Sequence, residues 1–517
     1  MSSILLCTLN AKYIHTSFGL RYLYANMGNI QDKTELKEWT IHDDPFQIVE
    51  EIQSKSPQIV GFGVYIWNVE ETLAVLELLR GIAPHIWIVL GGPEVSYEYH
   101  EQRIVQLSDY VITQEGEISF PKLCLQLLET SKDLLVTNKI SPQIIIGELP
   151  DVQTLKLPYQ YYTDEDLAHR VMYVEASRGC PFKCQFCLSS LDKKVRAFDL
   201  NSLFVAFENL LSRGARHFKF VDRTFNLKIQ TSTAIMQFFL DRRDQYEDVF
   251  LHFEMIPDRF PEELQKYVEQ FPAGQIQFEI GIQTFNIDVA TRIQRRQDYD
   301  ALRRNLTFLQ NTGVHLHTDL IVGLPGEDIH SFAKGFDELI GLGVEEIQVG
   351  ILKRLRGTPI AMHTKTFAQV YSPSPPYEIL CNSAISFPEM QRLRRFARYW
   401  NIVGNSGRFQ KTLTHFQNMP SPFFGFLAFS DWLYEACQRT TKISYNNMLQ
   451  YIQRFFHEIQ QQDITEDLCV DYQKCTGRPH RPRFLFSNTE AEKQTHNKGN
   501  QRQSRHQKGT DHHSNEI

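Results

Sequence analysis

The sequence predicts an α/β protein with two successive series of strand–helix units, followed by a mostly helical C-terminal region. Two observations support this fold class. Short apolar runs alternate with amphipathic stretches over the first ~145 residues, which is the pattern of a doubly wound parallel sheet. After a connector, six further strand–helix units follow over about 190 residues, which is typical of a partial (β/α) barrel.

Length and composition are those of an ordinary globular protein. A chain of 517 residues predicts two to four domains, and the net charge of -7 gives no whole-molecule reason to expect nucleic acid or a membrane surface as a partner. No run of about 18 apolar residues appears. The first ten residues lack a basic segment, so we interpret them as a first strand, not a signal peptide. We expect a cytoplasmic protein.

The first series predicts a Rossmann-like domain over residues 1–145, joined by a linker over residues 146–168. Its candidate strands are Ile4–Leu9, Leu36–Ile41, Ile59–Tyr65, Ile86–Leu90 and Tyr110–Thr113. Three of the strands end in turn residues, namely Gly61 and Gly63, Gly91 and Gly92, and Glu115, Gly116 and Glu117. Ligands of such folds lie beyond the carboxyl ends of the strands, where these loops gather.

The second series, over residues 169–368, predicts a TIM-like (β/α)6 partial barrel with a polar interior. Helix-covered parallel strands are normally continuous in Val, Ile and Leu, but here polar residues recur with a period of two, which places them on one side of each strand. These sets are Tyr173, Glu175 and Ser177; His252 and Glu254; Gln275, Gln277, Glu279 and Gly281; and His315, His317 and Asp319. The alternative is an antiparallel sheet with one solvent-exposed face, which the intervening helices disfavour.

The C-terminal third predicts three segments. Ser372–Pro376 is rich in proline and is typical of a stiff linker. Residues 377–485 are mostly helical in pattern. From residue 486 to 517 the chain has almost no apolar residues, which predicts disorder.

Three of the nine cysteines crowd into eight positions directly after the first barrel strand. Cys180, Cys184 and Cys187 follow the spacing x3 and x2 on a loop opened by Gly179, on the face where barrel enzymes place their chemistry. Three thiolates at this spacing can hold a 4Fe-4S cluster and leave one iron without a protein ligand. The alternatives are a zinc knot or incidental cysteines, but structural zinc prefers four protein ligands and no fourth Cys or His stands nearby.

The triplet, with Phe186 before its last cysteine, resembles the signature of the radical S-adenosylmethionine (SAM) superfamily. The resemblance covers about residues 1–365 and favours the branch with an N-terminal cobalamin (B12)-binding domain; it extends through Phe220–Asn226, His252–Glu254, Glu279–Thr284, Asp319–Glu327 and Leu352–Pro359. It implies that SAM chelates the open iron and is cleaved by one electron to methionine and a 5'-deoxyadenosyl radical. A reductant such as flavodoxin or ferredoxin is then required.

The same resemblance implies roles for individual residues. Cys180, Cys184 and Cys187 would ligate the cluster. Phe186 would lie along the adenine, Leu324 would form part of the adenine pocket, Glu254 and Gln283 would contact the SAM amino group and ribose, and Asp222 and Asp319 would touch SAM or substrate. For each polar residue at a strand end, the alternative is a helix N-cap or a loop hydrogen bond.

Cobalamin is the third predicted cofactor. In this branch the corrin and its nucleotide tail are surrounded by loops that resemble those of Gly61, Gly63, Gly91, Gly92, Glu115, Gly116 and Glu117; the alternative is that these glycines merely turn the chain. The nearest match to the B12 signature Asp-x-His-x-x-Gly runs from Tyr13 through His15 to Gly19, with Tyr in place of Asp and Gly one position late. Because no carboxylate orients His15, the sequence does not favour histidine ligation of cobalt.

The function predicted from the resemblance is hydrogen abstraction from an unknown substrate, with methyl transfer if cobalamin is bound. A non-methylating cyclase or rearrangement enzyme, with or without B12, is the alternative within the class. A second class is a non-catalytic iron–sulfur or zinc protein that binds nucleic acid through Arg392, Arg394, Arg395, Arg398, Arg478, Arg481 and Arg483. Charged helix faces are usually just solvated, which disfavours nucleic acid as a partner.

Overall fold

A computed structural model describes residues 3–130, 142–478 and 482–485. The chain divides into two compact units, one within residues 1–406 and 416–431 and the other within residues 407–415 and 432–517. The predicted disordered tail, residues 131–141 near the end of the predicted Rossmann-like domain, and Arg481 lie outside the described residues. None of the described helices combines the length and apolar character needed to cross a membrane.

The first domain contains a six-stranded, fully parallel sheet with the order β2-β1-β3-β4-β5-β6. Its strands are β1 (Ile4–Asn10), β2 (Thr34–Thr40), β3 (Ile59–Gly63), β4 (Trp87–Gly91), β5 (Tyr110–Thr113) and β6 (Gln143–Ile146). The first five confirm the predicted strands within a few residues. β6 was not predicted as a strand, because its short sequence is only partly buried at the sheet edge. The order reverses between β1 and β3, which makes this point the topological switch of the sheet.

Helices cover both faces of this sheet, as the doubly wound prediction requires. They are α1 (Phe18–Ala25), α2 (Pro45–Lys55), α3 (Val69–Ile82), α4 (Arg103–Gln106) and α5 (Ser119–Leu128). Leu5, Val60 and Leu76 pack in the core on one face, and Ile4 and Phe120 in the core on the other. β1 is buried along its whole length because both of its faces are covered.

The second domain confirms the predicted partial barrel. After α6 (Asp164–His169) come β7 (Met172–Val174) and a small antiparallel ribbon of β8 (Ser177–Arg178) and β9 (Arg196–Ala197). β7 continues into a parallel sheet with β10 (His217–Phe220), β11 (Phe250–Met255), β12 (Ile276–Gln283), β13 (His315–Val322) and β14 (Glu346–Ile351). The alternating helices are α7 (Leu200–Ser212), α8 (Ile229–Leu240), α9 (Glu262–Val268), α10 (Ile287–Arg292), α11 (Tyr299–Gln310) and α12 (Ile329–Gly341).

The first barrel strand is shorter than predicted, so Glu175 and Ser177 do not extend the face of Tyr173 in the sheet. The buried Asp222 carboxylate accepts hydrogen bonds from the Ala176 N–H at 2.8 Å and the Ser177 hydroxyl at 2.6 Å. Glu175 accepts a hydrogen bond from Arg178 at 2.9 Å. These contacts turn the chain out of the sheet immediately before the cysteine loop.

The polar strand residues face one another inside the barrel, as predicted for a parallel sheet with a polar interior. Glu279 accepts hydrogen bonds from His252 at 2.9 Å and from Lys219 at 3.3 Å. His317 lies 3.3 Å from Asp319. Burial opposes the charged form of His317, but the carboxylates of Asp319 and Glu346, 3.3 and 3.4 Å from its ring nitrogens, raise its pKa to about 10. The pairs compensate much of the cost of placing polar groups in the interior.

The C-terminal region is mostly helical, as predicted, but Ser372–Pro376 is not a linker. It forms the turn between β15 (Val370–Tyr371) and the antiparallel β16 (Ile379–Cys381), where the Ser372 N–H donates to the Glu378 carbonyl at 2.8 Å. Proline restricts the backbone in a tight turn as well as in an extended linker. The helices are α13 (Phe387–Val403), α14 (Gln410–Gln417), α15 (Pro422–Cys437), α16 (Tyr445–Glu458) and α17 (Thr465–Thr476).

The predicted helical domain over residues 377–485 is divided between the two compact units. α13 and most of α15 belong to the first unit, whereas α16 and α17 belong to the second. Within the second unit, the buried Asp471 carboxylate accepts hydrogen bonds from the backbone N–H groups of Lys411 and Thr412 at 2.9 and 2.8 Å. This carboxylate satisfies free donors at the start of α14.

Candidate active site

The three predicted cluster cysteines line one cavity with about 710 Å³ of empty space beyond the carboxyl ends of the barrel strands. Cys184 is buried, whereas Cys180 and Cys187 are partly exposed. Gly179 has φ +90°, and a Cβ atom there would come within 3.0 Å of the Lys194 carbonyl oxygen. The Cys180 N–H donates to the Asp192 carbonyl at 2.8 Å. The loop therefore lies tightly against residues 192–194, and glycine is needed at its start.

The donor set fits a 4Fe-4S cluster. Burial raises the pKa of the Cys180 thiol, and Cys187 and Cys184 raise it further. The described residues that line this cavity include no fourth Cys and no His. Three thiols without a fourth partner match a cluster with one open iron better than a closed zinc site.

The structure brings four of the six predicted SAM residues to this cavity and leaves two outside it. Phe186, Glu254, Gln283 and Asp319 line the cavity together with the cysteines. Leu324 is fully buried but does not line it. Asp222 does not line it either, and its carboxylate holds the turn before the cysteine loop.

Gln283 has two features of a ligand-binding residue. Its backbone has φ +74°, a strained value for a residue with a side chain, at a register shift between β12 and β13. Its buried amide oxygen has no hydrogen-bond partner among the described residues. A buried polar atom of this kind requires an explanation, and a ligand in the cavity supplies one.

The Glu254 carboxylate also lines the cavity. A quarter of its side chain remains exposed, and the Arg223 guanidinium lies 3.6 Å away. Burial raises the pKa of Glu254 to about 7, although Arg223 lowers it in part. This carboxylate can accept a cationic group of a ligand.

Sequence reasoning missed Arg295, which also lines this cavity. Its guanidinium donates to the Cys184 sulfur at 3.5 Å and to the Gly281 carbonyl. Its Nε has no hydrogen-bond partner among the described residues. A guanidinium here can pair with a ligand carboxylate. Arg295 belongs to no strand pattern, so no periodicity in the sequence pointed to it.

A second cavity, with about 1270 Å³ of empty space, lies at the carboxyl ends of the first sheet. All seven residues predicted for cobalamin line it, namely Gly61, Gly63, Gly91, Gly92, Glu115, Gly116 and Glu117. Gly61 keeps space for Phe120, because a Cβ atom there would come within 3.0 Å of the Phe120 ring. Apolar residues such as Leu20 and Leu90 line the remaining wall. A wide, largely apolar cavity with close backbone approach fits a large flat ligand such as a corrin.

Glutamates of the loops around the second cavity are paired with arginines of the barrel domain. The Arg178 guanidinium lies 2.7 Å from both Glu115 and Glu117, and Arg196 also pairs with Glu115. Arg356 lies 2.8 Å from Glu94, and Arg354 lies 3.0 Å from Glu98. We call these contacts the arginine seam; its members are Arg178, Arg196, Arg354, Arg356, Glu94, Glu98, Glu115 and Glu117.

His15 does not line the second cavity. Its Nδ1 is within 2.7 Å of the Tyr173 hydroxyl, and its backbone bridges Val171 beside the first barrel strand. Among the described residues that line the second cavity there is no histidine. The weak match to the B12 signature therefore corresponds to a contact between the domains.

Replacing His15 with alanine is expected to change the dissociation constant for hydroxocobalamin by no more than about twofold, because the ring is directed at Tyr173. Titration followed by the cobalamin absorbance spectrum measures this. A loss of tenfold or more (about 1.4 kcal/mol) would instead assign His15 to the cobalt site.

Family comparisons agree with the two domains. The radical SAM superfamily matches residues 174–339, and the B12 binding domain matches residues 4–124. Residues 365–515 match a family described as a protein of unknown function, DUF4080.

Two curated relatives cover much of the same region. An uncharacterized methyltransferase of Pyrococcus horikoshii is 25% identical over 330 residues, or 60% of this chain and 70% of the relative. The cobalamin-dependent radical SAM methyltransferase TokK of Streptomyces tokunonensis is 22% identical over 331 residues, or 57% of this chain and 47% of TokK. The alignment thus spans less than half of TokK.

Solved structures share the fold. The cobalamin-dependent SAM radical enzyme OxsB, solved with aqua-cobalamin, gives a TM-score of 0.62 at 12% identity and covers 94% of this chain and 82% of OxsB. The radical SAM methyltransferase TsrM from Kitasatospora setae, solved with cobalamin and a 4Fe-4S cluster, gives a TM-score of 0.54 at 16% identity and covers 72% of this chain and 80% of TsrM.

The barrel, its cysteine loop and these matches define a radical SAM enzyme. Within that class, the chain combines a radical SAM domain with an N-terminal B12-binding domain. The predicted fold class and superfamily are confirmed.

The basic run that suggested nucleic-acid binding is largely neutralised within the first unit. Arg392 lies 2.7 Å from Asp431, Arg394 lies 2.8 Å from Glu378, and Arg395 lies 4.0 Å from Asp431. Paired arginines provide little free charge for a phosphate backbone. Arg478 is exposed at the end of the described second unit.

Proposed function

We propose that the protein is a cobalamin-dependent radical SAM methyltransferase whose substrate is to be identified. The observation that carries the proposal is the proximity of the two cavities. The single turn Leu188–Leu191, directly after Cys187, contributes to both: Leu188 lines the second cavity, and Ser189 and Ser190 line the first. A methyl carrier and a radical source would thus be separated by one turn of chain.

When bound, a 4Fe-4S cluster supplies the electron that cleaves SAM to methionine and a 5'-deoxyadenosyl radical, and cobalamin supplies a carrier for a methyl group. In this proposal Cys180, Cys184 and Cys187 hold the cluster. Glu254 accepts a hydrogen bond from the SAM amino group, and Arg295 donates to the SAM carboxylate. Gln283 and Asp319 offer amide and carboxylate oxygens to the ribose hydroxyls.

Several remaining assignments are also proposals. A flavodoxin or ferredoxin is proposed as the one-electron donor. No disulfide joins any of the nine cysteines, all of which lie in the part of the chain that the structure describes, and this agrees with the reducing cytoplasm as the compartment. Asp222 and Leu324 are assigned structural roles, because both lie outside the SAM cavity.

The decisive experiment is anaerobic reconstitution of the full chain with iron, sulfide and hydroxocobalamin, followed by SAM carrying a labelled methyl group and dithionite. The expected results are bound cobalamin, formation of 5'-deoxyadenosine, and labelled methyl in a product when cell extract supplies the substrate. Failure to retain cobalamin would refute the cobalamin-dependent reaction. Deoxyadenosine without labelled product would favour the non-methylating cyclase or rearrangement enzyme.

The affinity for SAM is expected to rise as the pH increases from about 6 to about 8. Burial raises the pKa of Glu254 to about 7, so below this value the carboxyl is protonated and loses the charge-assisted hydrogen bond that its ionised form accepts from the SAM amino group. Each pH unit below the pKa then costs about tenfold in the ionised fraction. Equilibrium dialysis of the reconstituted, unreduced protein measures the dissociation constant at each pH.

Glu254→Gln is the matched control for this titration, because it preserves shape and removes the ionisation. It is expected to bind SAM more weakly at pH 8 and to show a much flatter pH profile. If the variant kept the slope of the native protein, another group would be responsible for it.

A further inference from the structure

Arg178 lies at the meeting point of the two cofactor regions. Its side chain is 14% exposed and lines the second cavity. Its NH1 group lies 2.7 Å from Glu115 and from Glu117, both in the loop after β5. Its Nε donates to Glu175 at 2.9 Å, and its guanidinium lies over the Tyr22 ring at 4.5 Å. One barrel side chain is therefore held mainly by the B12-binding domain.

The backbone of Arg178 is equally close to the cysteine loop. Arg178 pairs with Arg196 in the β8–β9 ribbon, and only Gly179 separates it from Cys180. The side chain of Arg196 pairs with both Glu115 and Asp192, and the Asp192 carbonyl accepts from the Cys180 N–H. The loop that contains Glu115 is thus connected to Cys180 by two short paths. One runs through Arg178 and Gly179, and the other runs through Arg196 and Asp192.

Three carboxylates around one guanidinium fix its position. Lysine could not reproduce this arrangement, because its single ammonium lacks the planar fork that reaches partners in two directions. A ligand that fills the second cavity contacts Arg178 directly, and any restriction of its side chain extends to Gly179 and Cys180. A ligand that orders one site lowers the cost of ordering the other.

We propose that Arg178 is a positioning residue that couples occupancy of the B12 cavity to the SAM-binding competence of the cluster loop. The inference rests on the proposed function, since it assumes that cobalamin and SAM occupy the two cavities. Filling the B12 cavity tightens SAM binding. By reciprocity SAM tightens cobalamin binding by the same factor.

The test is a thermodynamic cycle with no turnover. The full chain is reconstituted with iron and sulfide and kept unreduced, and the dissociation constant for SAM is measured by equilibrium dialysis with and without saturating hydroxocobalamin. The native protein is expected to bind SAM at least about fivefold more tightly when cobalamin is present, the lower end of ordinary coupling. Arg178→Lys is expected to reduce this ratio to below about twofold. Iron content and cobalamin retention of the variant are measured in parallel.

Two further variants separate coupling from general stability. Arg354→Lys alters another guanidinium of the arginine seam, one that lines neither cavity, and it is expected to keep the native ratio. Glu117→Gln removes one partner of Arg178 with a minimal change in shape and is expected to reduce the ratio even if Arg178→Lys folds poorly.

The outcomes distinguish the two proposals. If native protein retains no cobalamin, the proposed function itself fails. If cobalamin binds but leaves the SAM dissociation constant unchanged, the coupling is wrong and the proposed function stands. The coupling role of Arg178 is also wrong if Arg178→Lys and Glu117→Gln keep the native ratio, or if Arg354→Lys loses it equally.

Discussion

Replacing Cys184 with alanine is expected to reduce 5'-deoxyadenosine formation to the background rate and to lower the bound iron well below about four atoms per chain. Cys184 is the most buried of the three cysteines at 7% exposure, and its sulfur accepts from Arg295. Water cannot easily replace a ligand at such a site, and the cluster would lose one of its three anchors. Iron analysis, the absorbance of the reconstituted protein and chromatographic detection of deoxyadenosine measure the effect.

Cys437→Ala is the matched control, because it also removes one thiol, but from the end of α15 and from a residue that lines neither cavity. It is expected to retain native iron content and native deoxyadenosine formation. Equal loss in both variants would indicate a general sensitivity to cysteine removal. Full retention of iron and activity in Cys184→Ala would disprove the assigned ligand set.

Replacing Gly92 with alanine is expected to weaken hydroxocobalamin binding by more than tenfold and to lower the melting temperature. Gly92 has φ +108°, and a Cβ atom there would come within 3.0 Å of the Val64 carbonyl oxygen. The backbone strain alone costs about 1–3 kcal/mol, and relief of the clash must displace one of the loops that form the cavity. Absorbance titration and thermal unfolding measure the two effects.

Gly81→Ala provides the comparison, because Gly81 lies in α3 of the same domain and an added Cβ would meet nothing within 4 Å. It is expected to leave cobalamin affinity unchanged and to stabilise the helix slightly. A Gly92→Ala variant that bound cobalamin as tightly as Gly81→Ala would show that the loop does not form part of the corrin site.

The fold could be predicted because its determinants are local. The period of two in β11, β12 and β13, the apolar run of β1 and the glycines at the ends of β3 and β4 are all visible within short windows of sequence. The same holds for the cysteine loop, whose spacing is itself the signal. β6 was missed because a short edge strand carries little burial pattern, and the hairpin turn at Ser372–Pro376 was missed because proline is common to turns and linkers.

The details of the site depended on contacts that no local pattern contains. Glu115 and Glu117 were predicted to contact cobalamin, and both line the cavity. Their carboxylates, however, pair with Arg178, which follows Glu115 by 63 residues. Asp222 lies at a strand end like Glu254, yet it binds the backbone of Ala176 and not the cavity. Residues of the same type at equivalent positions differ in role because their neighbours come from distant segments.

The arginine seam also has a consequence for synthesis of the chain on the ribosome. Glu94 and Glu98 emerge more than 250 residues before Arg356 and Arg354, from which they are separated by 262 and 256 positions. During that interval the nascent N-terminal sheet can already fold, but the acidic side chains on its rim repel one another in water. We therefore expect the loop of Glu94 and Glu98 to reach its final position only after β14 and the arginines that follow it have left the exit tunnel. Cofactor binding would then follow translation.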